Sequence, residues 1–332
     1  MRTTVPGRVA RRSQRRAATT QTTQATRTTR VALAACLAGL VGLAGLAGCS
    51  TGGQPEPTPG TSRPSTAESP STQTSGPSQP PTSGETSDPV APDGSMADVV
   101  GPGLRLRSGG AFGQRETSFH VAKGVPFTTY AQVEYPAKSA SPRVAESGNG
   151  GNGGSQSYWL LPEPMDAAYL RYWVRFPSGF DWVKGGKLPG FFGGTTTSGQ
   201  NIPDGTDGFS TRYMWRADGA GEVYAYLPTS EEHGTSLGRG DWTWPTGRWA
   251  CVEQHVVLNT PGRSDGSVTV WLDDRPVHTS TGLTYRTTPA LRIDGLFFST
   301  FFGGGDESWA TPRDQSARFG GFAISTQRIG CR

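Results

Sequence analysis

Cysteine and histidine are scarce in this sequence, which has four of each in 332 residues. Neither residue type occurs in the CxxC or HExxH spacing, so no metal-binding motif can be recognised. The part of the chain after residue 98 also has no long run of helical periodicity. We therefore expect a protein that uses no metal ion or other cofactor and does not fold as a helical bundle.

Acidic residues are absent from the first 48 positions. Residues 1–30 carry eight arginines, and residues 31–48 form an uncharged run of mostly Ala, Gly and Leu. A basic segment followed by an apolar run of this length is typical of a secretory signal. The run ends in LAGC, which resembles a bacterial lipobox and implies cleavage and lipid attachment at Cys49. An ordinary signal peptide, or a membrane anchor that happens to end in Cys, is the alternative.

Aromatic residues are absent from residues 50–97, which consist mostly of Ser, Thr, Pro, Gly and Gln. Such a segment cannot bury enough apolar surface to offset the entropy lost on ordering. We expect a disordered linker here, between a lipoprotein signal peptide at residues 1–49 and a folded domain at residues 98–332. The domain would then be exported and held at the outer face of a bacterial cell membrane through Cys49.

The net charge of +4 comes from the N-terminal arginines, because residues 98–332 contain equal numbers of basic and acidic side chains. A balanced domain gives no reason to expect nucleic-acid binding, and we expect a monomer. The domain contains all nine tryptophans, enough for one hydrophobic core. Its two cysteines are Cys251 and Cys331, and an exported compartment permits a disulfide between them. Two unpaired buried thiols are the alternative.

Short β-rich runs separated by Gly, Pro, Asn and Asp recur through the domain. They predict an all-β fold, a jelly-roll sandwich of two antiparallel sheets in which one sheet forms a concave substrate groove. Asp273-Asp274 is the expected turn of one hairpin. The expected strands are Ser118–Ala122, Phe127–Tyr135, Ala168–Phe176, Gly208–Arg216, Glu222–Leu227, Trp249–Leu258, Gly266–Leu272, Arg275–Thr279, Leu291–Phe302 and Arg318–Ile324.

The run GFSTRYMWRADGAGEVYAYLP, residues 208–228, has the alternation and the Gly-rich turn of a β-hairpin. Because strand side chains alternate with period two, Ser210 and Arg212 share one face, as do Tyr224 and Tyr226. A five-residue loop at residues 217–221 sets Arg212 opposite Tyr226 and points all four side chains the same way. A two-residue turn at residues 218–219 sends the tyrosines to the opposite face. We favour the wider loop.

A second strand carries basic and aromatic side chains on one face. In YLRYWVRF, residues 169–176, Arg171, Trp173 and Arg175 point away from the apolar face. We expect these three residues, together with His255 in the run EQHVVLN, to line the groove and bind substrate. A solvated strand face and a structural histidine are the respective alternatives.

Five motifs occur in a fixed order in the domain: KGGKLPG, GFSTRYMWR, EVYAYLP, LNTPG and FFSTFFGGGDESWA. This series resembles polysaccharide lyase family 14, whose members include alginate and glucuronan lyases and adopt a β-jelly roll. The resemblance covers roughly residues 160–325. The series as a whole is fairly specific for the family, whereas no single motif is.

The resemblance implies five catalytic residues: Lys187, Ser210, Arg212, Tyr224 and Tyr226. A lyase removes the C5 proton of a 4-O-linked uronic acid and expels O4, so charge that develops on the carboxylate side must be stabilised. Arg212 can bind the carboxylate with two hydrogen bonds, and Lys187 supplies a point charge. Nearby cations would lower the pKa of a tyrosine. We expect Tyr226 to be base or acid with Tyr224 in support, roles that could be exchanged, and Ser210 to orient the carboxylate.

The sequence therefore predicts a membrane-tethered lyase that cleaves an acidic polysaccharide, alginate-like or glucuronan-like, by metal-independent β-elimination. One alternative is a glycoside hydrolase on a similar sandwich, which needs two carboxylates about 5–10 Å apart. Asp218, Glu222 and Glu253 are available for that role. The other alternative is a non-catalytic carbohydrate-binding or wall-attachment module, which exposed aromatics such as Trp173, Trp242 and Trp244 would serve.

Overall fold

The computed structural model describes Met1, residues 88–148 and residues 150–332. The expected signal peptide, the lipid-attachment position Cys49 and most of the expected linker lie outside the described residues. Within the described part of the chain, no helix is long and apolar enough to cross a membrane.

Strands dominate the described residues, with two helices of five residues each, α1 (Met96–Val100) and α2 (Pro142–Glu146). Two short 3-10 turns, Ala217–Gly219 and Glu307–Trp309, complete the elements. The strands are β1 (Arg105–Leu106), β2 (Thr117–Val121), β3 (Thr129–Tyr135), β4 (Ser155–Met165), β5 (Ala167–Arg175), β6 (Gly185–Gly194), β7 (Gly208–Arg216), β8 (Gly221–Tyr226), β9 (Thr235–Leu237), β10 (Trp249–Val257), β11 (Gly266–Leu272), β12 (Arg275–Leu283), β13 (Ile293–Phe302) and β14 (Gln315–Ser325).

The strands form two seven-stranded sheets. We call the sheet with strand order β1-β4-β13-β6-β7-β8-β9 the groove sheet, and the sheet with order β12-β11-β10-β5-β14-β3-β2 the back sheet. Neighbouring strands in both sheets are antiparallel. The fold is thus the all-β jelly-roll sandwich that the sequence predicts.

The hydrophobic core lies between the two sheets. Leu170, Tyr172 and Val174 of β5 and Tyr213 and Trp215 of β7 are all buried in it, and the Tyr172 and Tyr213 rings meet across the sheets at 6.1 Å. Each large apolar side chain buried in this way stabilises the fold by roughly 1.5–3 kcal/mol. Because side chains alternate along a strand, the residues between these point to the outer face of each sheet.

Part of the segment between Asp88 and residue 98, where the sequence predicts a linker, pairs with the folded domain. The Ala91 N–H donates to the Phe119 carbonyl (2.8 Å), and Val90 forms a β-bridge with His120. These bonds attach the segment to the edge strand β2, so backbone pairing holds the segment in place. The polar, proline-rich composition that predicts disorder does not reveal such pairing.

Four groove-sheet strands, the short β1 and β9 and the longer β4 and β6, are absent from the strands expected from the sequence. The β6 run GGKLPGFFGG has the composition of a loop, yet Pro189 lies at a bulge between Leu188 and Gly190, where a missing N–H is tolerated. A Cβ on Gly190 would lie 2.1 Å from the Thr211 carbonyl oxygen. Glycine is therefore required here for β6 to pack against β7. The residues that allow this close packing are the ones that make the run look like a loop in the sequence.

The back sheet is tied to the C-terminal segment. Cys251 of β10 and Cys331 form a disulfide, with their Cα atoms 5.8 Å apart. The Gly330 N–H also donates to the Glu253 carboxylate (3.1 Å). The nearby β11–β12 hairpin turns at Asp273-Asp274, as expected, and both aspartates have the positive φ that such a two-residue turn requires.

Candidate active site

The β7–β8 hairpin differs from both registers considered for it. Arg212 lies opposite Tyr224, and the Arg216 N–H donates to the Ala220 carbonyl (2.7 Å). The loop is therefore the three-residue turn Ala217–Gly219, and the expectations of five and two loop residues are both wrong. Relative to the favoured register, the pairing is displaced by two residues. An even displacement keeps every side chain on its expected face, so the arginine and both tyrosines still point the same way.

The chemistry of the loop residues explains its length. Asp218 and Gly219 have φ values of 60° and 76°. Glycine has no Cβ to clash in this left-handed region, and Asp tolerates it through local hydrogen bonding. Three-residue hairpin loops that end in a left-handed residue match the twist of the strands they join.

An open cleft of about 730 Å³ lies on the outer face of the groove sheet. Its floor is formed by alternate residues of β6, β7 and β8, whose intervening residues are in the core. The loop after β13 and helix α2 form parts of its rim. The floor and rim include Lys187, Arg212, Met214, Arg216, Tyr224, Tyr226, His233 and Trp309.

Lys187 lies in the floor of this cleft and is only 9% exposed. Its Nζ donates to Met214 Sδ (2.7 Å) and lies 3.7 Å from the centre of the Tyr224 ring. Burial lowers the pKa of Lys187 well below its usual value, and the positive charges of Arg212 and Arg216 lower it further. A thioether is a weak acceptor and does little to stabilise an ammonium ion. The Lys187 amine therefore holds its proton less firmly than an exposed lysine does, which suits it to act as a base.

Arg212, also in the floor, is 2% exposed. One guanidinium nitrogen donates to Ser299 Oγ (3.1 Å), and that hydroxyl donates to Gln156 Oε1 (3.1 Å). Among the described residues, the Arg212 Nε has no hydrogen-bond partner. A guanidinium remains charged even when buried. Arg212 is therefore a buried positive charge in the cleft that has no carboxylate partner among the described residues, and it can attract an anionic group that enters the cleft.

Arg216 lies four residues further along the same strand and already has a carboxylate partner. Its Nε and one terminal nitrogen donate to Glu222 Oε1 at 2.9 and 2.6 Å. Glu222 is fully buried, and its Oε2 lacks a hydrogen-bond partner within the described part of the chain. The two arginines on this strand face thus differ, because Arg216 is neutralised by the protein and Arg212 is not.

The two tyrosines of β8 face the cleft with their rings 5.7 Å apart and nearly perpendicular. Burial raises the pKa of Tyr224 to about 12, the neighbouring Tyr226 adds to the rise, and Arg216 opposes it. The expected lowering by nearby cations is therefore wrong for Tyr224, because desolvation outweighs it. Tyr224 keeps its proton at neutral pH. The Arg212 guanidinium carbon lies 5.9 Å from the centre of the Tyr226 ring.

Ser210 differs from the other four family-implied residues in being closed off from the cleft. It is fully buried, and its hydroxyl donates to the Thr197 carbonyl (2.7 Å). The segment that contains Thr197 covers the start of β7, so the hydroxyl faces protein rather than the open cleft. Ser210 thus supports the neighbouring loop, and the expectation that it orients a substrate carboxylate is not met by this arrangement.

Arg171, Trp173, Arg175 and His255 lie on the outer face of the back sheet, and the prediction that they line the groove is wrong. The period-two pattern assigned the correct strand face, but it contains no information on which sheet the strand joins. The His255 ring stacks on Tyr169 at 3.9 Å between centres, which fits the structural alternative.

The carboxylates available to a glycoside hydrolase are not paired across the cleft. Asp218 is in the hairpin turn, Glu222 is bound to Arg216, and Glu253 lies on the back sheet, where it accepts bonds from the C-terminal segment. Of the tryptophans named for a binding module, Trp242 and Trp244 are buried in the core, and Trp173 is partly exposed on the outer face of the back sheet. Within the described residues, no group of three or more His, Cys, Asp or Glu side chains could hold a metal ion.

Several residues in or next to the cleft were not assigned to a lyase site from the sequence. Arg216 and Glu222 follow the same alternation as Arg212 and Tyr224, so the pattern contained the information. Trp309, in the DESWA part of the last motif, packs 5.8 Å from the Arg216 guanidinium carbon. Gln156 comes from β4, a strand that the sequence does not predict, and long-range pairing alone brings it to Ser299.

The described geometry can be compared with known proteins. The family model Polysaccharide lyase 14 matches residues 127–322. No curated protein sequence matches the chain. Among solved structures, the marine alginate lyase from Aplysia kurodai is 29% identical, with 72% of this chain and 97% of that chain covered and a TM-score of 0.60.

Two further structures resemble the chain in fold. The alginate lyase vAL-1 from Chlorella virus is 23% identical, over 64% of this chain and 89% of that chain, with a TM-score of 0.56. A variant of alginate lyase Aly36B, in complex with an alginate trisaccharide, is 22% identical, over 66% of this chain and 88% of that chain, with a TM-score of 0.54.

Proposed function

This chain belongs to polysaccharide lyase family 14 and is a polysaccharide lyase, and from this premise we propose that it cleaves 4-O-linked polyuronates by β-elimination. Alginate is the first candidate substrate, because the alginate lyase from Aplysia kurodai is similar over most of both chains. The observation that supports the proposal most strongly is the cleft that joins an unfilled guanidinium donor, a buried amine of lowered pKa and two phenols.

Arg212 is the proposed carboxylate ligand. Its guanidinium lines the cleft without a carboxylate partner among the described residues, and its low exposure means that little water competes for it. A uronate carboxylate bound there would have its negative charge offset, which makes the adjacent C5–H bond more acidic. The charge that develops as the proton leaves would be stabilised by the same arginine.

Lys187 is the proposed base, a change from the fixed point charge expected from the sequence. The lowered pKa leaves a neutral amine available to take the C5 proton. The electrons of the C5–H bond form the C4–C5 double bond, and the C4–O4 bond breaks. Tyr226 gives its proton to the departing oxygen, while Tyr224 stays protonated and supports the Lys187 amine with its ring. Proton transfer from the lysine to the phenolate then restores both groups.

The test is mass spectrometry of the products formed from alginate by the full chain. Elimination yields an oligosaccharide with an unsaturated uronate at its new non-reducing end, lighter by one water molecule than the product of hydrolysis. Unsaturated products would support the proposal. Hydrolytic products, or binding without any cleavage of alginate, glucuronan and related polyuronates, would overturn it.

We also propose that the protein is exported and lipid-anchored through Cys49, and that it acts as a monomer at the outer face of a bacterial membrane. The basic and apolar N-terminal residues and the LAGC sequence support this location. Metabolic labelling with a radioactive fatty acid tests it. Label in the wild-type chain that is lost in Cys49→Ser is expected, and an unlabelled wild-type chain would contradict the anchor.

A further inference from the structure

Four ionisable side chains lie next to one another at the floor of the cleft, three that line it and one, Glu222, that is fully buried. Lys187 of β6 pairs with Met214 of β7, and Met214 pairs with Glu222 of β8, so one row crosses three strands. Arg212 and Arg216 flank this row on β7. The proposed chemistry uses Lys187 and Arg212, and it leaves the buried Arg216–Glu222 ion pair without a role.

Burial of an ion pair is costly, because two charges lose their hydration. Glu222 is fully buried, and the Arg216 side chain is 11% exposed. Both arginine bonds go to Oε1, and Oε2 has no partner among the described residues, so the pair is not arranged for greatest stability. Replacing such pairs by apolar residues is often neutral or stabilising. The position of this pair beside a catalytic base suggests an electrostatic role.

We propose that Arg216 and Glu222 act as a matched pair of opposite charges that tunes the Lys187 base without touching the substrate. This inference rests on the proposed function of Lys187. The two members act on the amine with opposite sign, because Arg216 disfavours the ammonium form and Glu222 favours it. Glu222 also holds the Arg216 guanidinium, which leaves Arg212 as the arginine that receives the carboxylate.

Other charged and titratable groups also surround the Lys187 amine, and the variants below leave all of them in place. Those on the adjacent strands and the cleft rim are Arg212, Tyr224, Tyr226, Arg143, Glu146, His233 and Asp306. Phe301, which pairs with Lys187 from β13, is uncharged.

The experiment is a double-mutant cycle in the full chain, read as the pH dependence of kcat/KM on alginate. Glu222→Gln removes the negative charge and should move the acid limb of the profile to lower pH by about one unit. Arg216→Gln removes the positive charge and should move the limb to higher pH by a similar amount. The double variant, which is neutral at both positions, should return the limb close to its wild-type position.

A second readout does not need turnover. Labelling of the Lys187 amine by an acylating reagent, followed by mass spectrometry at a series of pH values, reports its protonation directly, even in a variant of low activity. The same opposite displacements are expected. General damage to the fold would lower activity in both single variants without moving their profiles in opposite directions.

Two results separate failure of this inference from failure of the proposed function. If both single variants keep the wild-type limb and labelling profile while Lys187→Ala is inactive, the pair does not tune the base and the inference is wrong. If Lys187→Ala retains wild-type turnover, the role of Lys187 as base is wrong, and the inference fails with it.

Discussion

The outer faces of the two sheets look alike in sequence and differ in structure. β5 of the back sheet presents Arg171 and Trp173 outward, and β7 of the groove sheet presents Arg212 and Arg216. On the back sheet, aromatic rings pack against one another, and the C-terminal segment is bonded to Glu253. The Nε atoms of Arg171 and Arg212 both lack a hydrogen-bond partner among the described residues, but Arg212 lies in the open cleft of the groove sheet. Neither alternating basic and aromatic residues nor an unpartnered arginine donor therefore identifies a binding face alone, whereas a buried charge in the floor of a cleft does.

Among substitutions on the two faces, the largest loss of activity is expected at Lys187 of the groove sheet. Lys187→Ala removes the proposed base and should lower kcat on alginate by about 10²–10⁴-fold. The matched control is Lys184→Ala, three residues earlier in the same motif, where the side chain is exposed and bonded to Ser308. We expect near wild-type turnover from that control. Equal losses in both variants would contradict the assignment, and circular dichroism would check that both fold.

Arg212→Gln should have the next largest effect. Loss of the guanidinium removes the stabilisation of charge that develops in the transition state, and kcat/KM should fall by about 10²–10³-fold. Arg171→Gln on the back sheet removes the same charge from the opposite side of the molecule and should leave kcat/KM near the wild-type value. Steady-state kinetics on alginate would measure both. A greater loss in Arg171→Gln would reverse the assignment of the two faces.

The pH dependence of the reaction should reflect the groove-sheet residues. A base must be deprotonated, so kcat/KM should rise with pH through the lowered pKa of Lys187 and then level off. Deprotonation of Tyr224 should cause no fall in the mildly alkaline range, because the pKa of Tyr224 is about 12 and its proton is retained there. A profile in which kcat/KM never rises with pH would contradict a base at Lys187.

Loss of the disulfide in the back sheet should lower the stability of the domain and leave its turnover unchanged. The Cys251–Cys331 disulfide closes a loop with a sequence separation of 80, and its loss should reduce the free energy of unfolding by about 2–5 kcal/mol. The double variant Cys251→Ser/Cys331→Ser should have a lower Tm, measured by calorimetry, but normal kcat at low temperature. Loss of turnover while the domain is still folded would show that the two faces are coupled.

The smallest effect is expected at His255. The ring stacks on Tyr169 on the outer face of the back sheet, whereas the cleft floor belongs to the groove sheet, so His255→Ala should change kcat and KM on alginate by less than about twofold. A raised KM with unchanged Tm would indicate that the back sheet also contacts the polysaccharide.

Sequence reasoning succeeded where local rules decide the structure. Alternation gave β7, β10 and β11, and the motif series named Lys187, Arg212, Tyr224 and Tyr226, which line one cleft. It failed where long-range contacts decide. The glycines of β6 are explained by the approach of β7, and the back-sheet location of Arg171 depends on which strands pair with β5.

The hairpin register shows the limit within a single element. Arg212 faces Tyr224 rather than Tyr226, because Asp218 and Gly219 both take left-handed backbone angles and shorten the loop. The side chains of Arg212 and the two tyrosines are still predicted on the correct face, because the register differs by an even number of residues. The same error gives Met214 the wrong partner on β8. Its pairing with Glu222, on which the tuning of Lys187 depends, is seen only in the structure.

The most direct test of the account is a crystal structure of the Lys187→Ala variant with a bound alginate oligosaccharide. The account predicts saccharide in the cleft of the groove sheet, with one uronate carboxylate hydrogen-bonded to Arg212 and the C5 hydrogen directed at the space left by the missing amine. A saccharide bound to the back sheet, or one in the cleft with no carboxylate at Arg212, would contradict it.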